Sequence, residues 1–137
     1  MTDINKIRNF FSDDRFAMNA GIVIDDAEAE CVTCGMDINA SHLNAGGGVQ
    51  GGAIFTLADF TFAVHCNLAH AQGEDVGLTV GQSCSISFLK SVRGKKLIAR
   101  STCLSKGRRI SVYRIVVTDD LGNNIAEMHG NGFTIQN

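Results

Sequence analysis

Apolar positions recur with two different periods along this chain. Near the start, Ile4, Ile7, Phe10 and Phe11, followed by Phe16 and Ala17, are spaced for one helical face, and Ser12-Asp13-Asp14 can interrupt or re-cap the run. The spacing predicts a short N-terminal helix, or two in succession. Asn19-Ala20-Gly21 is a stop signal. After it, Ile22 to Ile24 and Ala29 to Met36 carry β-branched and alternating residues around Asp25-Asp26, which reads as the turn of a hairpin. From Asp37 to Gly52 the chain is polar and glycine-rich with neither period. A loop of that length inside a compact domain often carries function.

Ala53 to Leu68 returns to the helical period, with Ile54, Leu57, Phe60, Phe62 and Val64 spread around most of the circumference, so the helix is expected to be buried rather than laid on a surface. Beyond the polar break Ala71 to Asp75, four strand-like segments follow: Val76 to Leu89, Leu97 to Leu104, Ile110 to Val117 and Ile125 to Ile135. In the first, Cys84, Ile86 and Phe88 alternate with Ser83, Ser85 and Ser87, the pattern of a sheet with one wet face. Arg93-Gly94-Lys95, Lys106-Gly107-Arg108 and Asp120-Leu121-Gly122 are short connections with turn residues, so neighbouring strands are expected to run antiparallel. The predicted class is α+β, about six strands in one antiparallel sheet wrapped around a long central helix, because that is the simplest way to bury it.

A chain of 137 residues suits one domain, taken as 1–137, and 45% apolar against 19% charged residues predicts a packed core. Fifteen glycines with no proline exclude collagen-like and proline-rich linker readings. The net charge of -2 supplies no global field for nucleic acid or an anionic membrane, so any anionic ligand must meet a local patch. Five cysteines and an N-terminus without an apolar export run point to a reducing cytoplasm. The longest apolar stretch, Gly51 to Ala69, contains Asp59, His65 and Asn67, which argues against a membrane span.

Asp59 is the only ionisable residue between His42 and His65. On a buried helix its carboxyl should be pushed up, as a general base or nucleophile requires, unless it merely caps a backbone or pairs with a lysine. Gly51 and Gly52 put unobstructed N–H donors at the helix start, suited to a carbonyl oxygen that gains negative charge. Asp59 lies about two turns further on, on the order of 11 Å along the axis, too far for one helix to present both groups to one acyl carbon. A site built across a dimer interface resolves this. Asn44 and Gln50 in the preceding loop suit a carbonyl-binding pocket, although loop asparagine also serves simply to make turns.

Other patterns carry less. Gly46-x-Gly48-x-x-Gly51 formally matches a dinucleotide fingerprint but follows a polar loop rather than a hydrophobic strand. Cys31-x-x-Cys34 has no second pair to complete a zinc site, and Cys66, Cys84 and Cys103 read as small core residues. His65, His70 and His129 read as structural. Lys90, Arg93, Lys95 and Lys96 cluster near one turn and Lys106, Arg108 and Arg109 near the next, where they could hold phosphates or simply be solvated.

The string His42-x-Asn44, a glycine loop, and Gln50-Gly51-Gly52-Ala53-Ile54-Phe55-Thr56-Leu57-Ala58-Asp59 strongly resembles the hotdog-fold acyl-CoA thioesterases of the PaaI-like, phenylacetate-pathway type. The likeness continues through Ser85-Ile86-Ser87-Phe88-Leu89-Lys90 and the Gly107-Arg108 turn, covering nearly the whole chain. It implies a sheet wrapped around the central helix, a dimer with interface sites that often pairs into a dimer of dimers, and no metal or redox cofactor. It implies Asp59 as nucleophile or general base, the Gly52 N–H as the donor that polarises the carbonyl, and Asn44 of the facing chain as the group positioning water or thioester. Gln50 stands where many members have His, which leaves it a hydrogen-bonding role without titration. A Ser or Thr frequent on the strand after the helix falls at Gly81 here, with Thr79 two residues earlier on the same face.

The expected reaction is hydrolysis of a small or medium acyl-CoA to free acid and CoA, with Phe55, Phe60 and Phe62 making an aromatic acyl pocket conceivable. Expected substrate contacts are Gly51, Thr79, Gly81, Lys90, Lys106, Arg108 and Arg109. Two rivals stand beside it: a hotdog dehydratase or hydratase, which would need a His paired with the carboxylate, and a non-catalytic acyl-CoA-binding module, which would leave Asp59 without a chemical reason.

Overall fold

The structure, a computed structural model, describes residues 2–135. Helix α1 (Ile4–Phe11) starts at Asp3, whose carboxylate accepts from the N–H groups of Asn5 and Lys6. Helix α2 (Arg15–Ala20) starts at Asp14, whose carboxylate accepts from Ala17 N–H at 3.0 Å. The apolar run therefore folds as two helices, because Asp14 satisfies the orphan donors of a second start. Gly21, at φ 85°, supplies the left-handed residue that ends α2.

Strand β1 (Ile22–Ala27) pairs antiparallel with β2 (Cys31–Asp37). The turn does not fall at Asp25-Asp26 as expected. Both aspartates lie inside β1, beside a bulge, and the chain reverses at Glu28–Cys31, whose backbones exchange two hydrogen bonds. β1 is a sheet edge, where acidic side chains can reach water without leaving the strand.

The loop after β2 contains a short 3₁₀ turn, Ala40–His42, capped by Asn39. His42 is buried there, accepting at Nδ1 from Asn39 N–H and lying 2.8 Å at Nε2 from the Ala20 carbonyl, so Nε2 carries the proton. Helix α3 (Gly51–Cys66) begins two residues before the predicted start, and Asn67 separates it from α4 (Leu68–Ala71).

Strands β3 (Leu78–Phe88), β4 (Lys96–Lys106), β5 (Ile110–Asp119) and β6 (Asn124–Ile135) complete a six-stranded sheet in the order β1-β2-β4-β5-β6-β3, every neighbour antiparallel. Arg93-Gly94-Lys95, expected to close a hairpin, instead crosses from the edge strand β3 to the interior strand β4. It is tied down on the way: Asp119 accepts from the N–H groups of Arg93 and Gly94, and Asp120 from Lys95 and Lys96. Turn residues mark a bend; they do not say how far the chain travels before it pairs.

The sheet wraps α3, which buries Ile54, Leu57, Phe60, Phe62 and Val64 against it. Each such burial is worth about 1.5–3 kcal/mol. The wrapping is incomplete. Gly52 is exposed and Thr56, Asp59, Ala63 and Cys66 are only half-buried, a stripe at three- and four-residue spacing that runs the length of the helix. One face of α3 is therefore open, the part of the circumference that Ile54, Leu57, Phe60, Phe62 and Val64 leave.

A bulge between Gly81 and Ser83 shifts the alternation of β3 by one residue. Thr79 and Gly81 before it, and Cys84, Ile86 and Phe88 after it, thereby share the side facing α3: Gly81 lies against Phe62, and Phe88 against Gly51. That side is nevertheless largely uncovered. Phe88 is 53% exposed, and Cys84, expected in the core, is also exposed. Among the described residues no helix is long and apolar enough to cross a membrane.

Candidate active site

The first turn of α3 is held by its neighbours in sequence. Gln50 N–H donates to the His42 carbonyl at 2.8 Å, and the Gln50 carbonyl accepts from Ala53 and Ile54. Gln50 also caps the helix with its side chain, Oε1 accepting from Gly52 N–H at a long 3.3 Å. The Gly52 donor is therefore loosely occupied rather than unpaired. A Cβ at Gly52 would meet no atom within 4 Å, so the space before it is open, whereas one at Gly51 would come within 3.3 Å of the Phe88 ring.

Asn44 organises the approach to this helix start. Its Oδ1 accepts from the N–H groups of Gly46 and Gly48 at 2.9 and 3.1 Å, and its own N–H donates to the Gly48 carbonyl at 2.7 Å. The turn-making role weighed from sequence is thus real, and it uses only the oxygen end of the amide. Asn44, Gly51 and Lys90 line one cavity of about 440 Å³, whose apolar walls include Val49, Ile54, Phe88 and Val92.

Asp59 sits in the middle of the open stripe on α3. Its carboxyl is pushed above the usual carboxylate range, first by burial and then by the negative charge of Asp14, and no hydrogen bond offsets this. Asp59 and Gly52 belong to one helix, seven residues apart, which is about 10 Å along the axis. One chain does not bring them to one carbon. The half-buried setting raises the carboxyl pKa, as expected on a buried helix, and leaves the group reachable.

The far end of α3 opens on a second cavity, of about 590 Å³, where Cys66, Thr79, Tyr113, Lys106 and Arg108 meet. The Thr79 hydroxyl lies 2.8 Å from that of Thr134, and the Thr79 backbone is clamped at both N–H and C=O by the Asn67 amide. Gly81 and Arg109 are not walls of either cavity; the Arg109 carbonyl accepts from Thr134 N–H. Phe60 and Phe62 are buried, against Phe11 and Tyr113 respectively, so they are core rather than acyl pocket, and only Phe55 of the three is half-buried.

The histidines and thiols near the site are quiet. His65 donates from Nε2 to the Ala29 carbonyl and accepts at Nδ1 from the Ser101 hydroxyl, and burial lowers its pKa, so it is neutral. Burial pushes the Cys66 thiol up to about 12. Two residues with a bearing on the site were not singled out from sequence. Phe88 was read only as one member of an alternating strand, and Asp14 only as a helix cap.

The comparisons with known proteins agree with this geometry. Residues 46–126 match the model of the thioesterase superfamily. The Escherichia coli acyl-coenzyme A thioesterase PaaI is 29% identical over 126 residues, 91% of this chain and 86% of that one. A relative from Deinococcus radiodurans is 35% identical over 103 residues, 74% of this chain but only 66% of that longer protein. The solved structure of E. coli PaaI, from the phenylacetic acid degradation operon, superposes with a TM-score of 0.85 at 26% identity, covering 96% of this chain and 91% of that one. With the wrapped six-stranded sheet, the matched motif region and these relatives in agreement, the chain belongs to the thioesterase superfamily, as a thioester hydrolase of the PaaI-like, hotdog-fold kind.

Proposed function

We propose that the protein hydrolyses acyl-CoA thioesters in a site shared by two chains. The observation that carries this reading is the separation of Gly52 and Asp59 along one helix whose intervening face lies open. A second α3, antiparallel to the first, would set the Gly52 N–H of one protomer beside the Asp59 of the other. β3 supports such a pairing: it is an 11-residue edge strand with no charged side chain, and Val80 and Phe88 are 39% and 53% exposed. The name of the E. coli relative supports CoA as the thiol carrier.

In this reading the thioester carbonyl displaces the Gln50 oxygen from Gly52 N–H, which then stabilises the oxyanion; such a donor is worth roughly 3 kcal/mol. Asp59 either takes a proton from the attacking water, and the tetrahedral intermediate expels the CoA thiolate, or attacks the carbonyl itself and expels the thiolate to leave a mixed anhydride that water then opens. The free Nδ2 end of Asn44 and the amide of Gln50 donate to the bound thioester. Gly51 lets the Phe88 ring close over the helix start. Lys90 at one cavity, and Lys106 and Arg108 at the other with Arg109 beside them, meet the CoA phosphates, while Thr79 and Gly81 line the path along β3. Five free thiols are consistent with a reducing cytoplasm. Hydration chemistry is less well supported, because both nitrogens of the buried His42 and His65 are already engaged away from Asp59.

The test is thiol release over aryl, short, medium and long acyl-CoA substrates. Asp59→Asn should lower kcat about 10²–10⁴-fold, with the fold retained. The raised pKa sets the direction in pH: activity should fall as Asp59 is protonated, at a pH above the ordinary carboxylate range. Because the charged form is the disfavoured one in the fold, Asp59→Asn should also raise the melting temperature at neutral pH. A folded Asp59→Asn protein with undiminished thiol release would overturn the assignment.

A further inference from the structure

We propose that His42 is a positioning residue of the thioester site: its buried imidazole ties the loop before α3 to the end of α2, and so fixes where the Asn44 amide stands at the start of α3. This rests on the function proposed above.

Residues 42–50 close into a small hairpin. Gln50 N–H donates to the His42 carbonyl at 2.8 Å, Leu43 and Val49 form an antiparallel bridge, and Asn44 N–H donates to the Gly48 carbonyl at 2.7 Å. Within it, Asn44 Oδ1 accepts from the N–H groups of Gly46 and Gly48, so the amide that lines the cavity beside Gly51 moves only with the hairpin as a whole. One leg is anchored at Gln50, whose carbonyl accepts from Ala53 and Ile54 at the start of α3. A hairpin held at one leg can pivot. The other leg is anchored by the His42 side chain, which is 4% exposed and donates from Nε2 to the Ala20 carbonyl at 2.8 Å.

That carbonyl is a firm post. It ends α2, where the last carbonyls have no partner within the helix, and Gly21 at φ 85° turns the chain away behind it. α2 itself packs on α3 and buries Ala17. The bond from Nε2 therefore completes a circuit from α3 through α2 to the hairpin and back to α3 at Gln50. Nδ1 does something different. It accepts from Asn39 N–H at 3.1 Å, three residues back, and only closes the 3₁₀ turn on itself. Of the two nitrogens, Nε2 alone reaches another element. Without that bond the hairpin would pivot on Gln50 and swing the Asn44 amide off the thioester, and a misplacement of about 1 Å can cost on the order of 10²-fold in rate.

The two bonds can be separated, because an asparagine amide oxygen can stand in for Nδ1 and a glutamine amide nitrogen for Nε2. In the full-length protein, His42→Asn and His42→Gln each give up one buried hydrogen bond, so their melting temperatures should fall alike. Their rates should differ. His42→Gln keeps the bond to Ala20 and should hold kcat near the parent value for a hydrolysed acyl-CoA. His42→Asn should lower kcat by up to about 10²-fold with little change in KM. Asn44→Ala is the cross-check: since His42 acts through Asn44, adding His42→Asn to Asn44→Ala should lower kcat little further. Amide exchange gives a readout that needs no substrate. The N–H groups of Asn44, Gly46 and Gly48 should exchange faster in His42→Asn alone, with those in the middle of α3 unchanged. Equal kcat in the two His42 variants, losses that multiply with Asn44→Ala, or hairpin amides that exchange alike in both variants would overturn the role of His42. Hairpin amides quickened in His42→Asn alone, in a protein that releases no thiol from any acyl-CoA, would instead refute the proposed reaction and leave His42 as the tether of the hairpin.

Discussion

The two edges of the sheet are built on opposite principles. β1 is six residues long, carries Asp25 and Asp26 and a bulge, and is roofed by Arg8, whose guanidinium donates twice to the Ile24 carbonyl at 3.0 and 2.8 Å. β3 is eleven residues long, has no charged side chain, and leaves Val80 and Phe88 uncovered. Charge, irregularity and a covering group are the usual means of keeping a strand from pairing with another molecule. One edge has all three. The other keeps only its bulge, set near the middle of the strand, where it redirects side chains onto α3 rather than ending the strand. The contrast teaches that this chain guards itself against association selectively, and that the unguarded edge lies on the side where α3 is also open.

The contrast can be broken from the open side first. In the proposed two-chain arrangement, Val80→Lys puts like charges where two β3 strands would meet, so the variant should sediment as a monomer. Activity should fall with it, by about 10²–10⁴-fold, because the proposed site pairs each Asp59 with the Gly52 of the other chain. Removing the roof from β1 is the next largest effect: Arg8→Ala should lower stability by about 1 kcal/mol in denaturant melts, without altering the oligomeric state. Val23→Lys is the matched control on the guarded edge, where Val23 is 55% exposed. It should change stability by less than about 0.5 kcal/mol and leave thiol release and sedimentation as they were. A Val23→Lys protein that dissociates, or a Val80→Lys protein that does not, would reverse the assignment of the two edges.

Much of this fold was legible in the sequence because period and capping are local. Ile4 to Phe11 and Ile54 to Val64 announce their helices, and Ser83 to Phe88 alternates as a strand must. What pairs with what is not local. Nothing in Arg93-Gly94-Lys95 distinguishes a hairpin from a crossover, and the aspartates that anchor that segment, Asp119 and Asp120, lie some 25 residues away. Asp25-Asp26 read as a turn because acidic pairs favour turns, but an exposed edge tolerates them equally well.

The candidate site divides the same way. Asp59, Gly52, Asn44 and Gln50 stand out by residue type and spacing, and the structure gathers Asn44, Gly51 and Lys90 around the helix start. The 3.3 Å bond from Gly52 to Gln50 was not readable, since glutamine is an uncommon helix cap. Neither was the nearness of Asp14, which depends on how α1 and α2 fold back over α3. The sheltering of Cys84 was overestimated because alternation reveals which way a side chain points, not whether anything stands in front of it.

The bulge between Gly81 and Ser83 has one more consequence, for how this protein tolerates change in length. Gln82 is the extra residue of the bulge, so removing it would leave a regular ladder, Gly81 against Gly132 and Ser83 against Asn131, with Cys84, Ile86 and Phe88 still on the helix side. At position 82 a single codon's deletion would straighten the strand and keep its helix-facing side chains, whereas a deletion within an unbroken stretch such as β5 would turn the rest of that strand over.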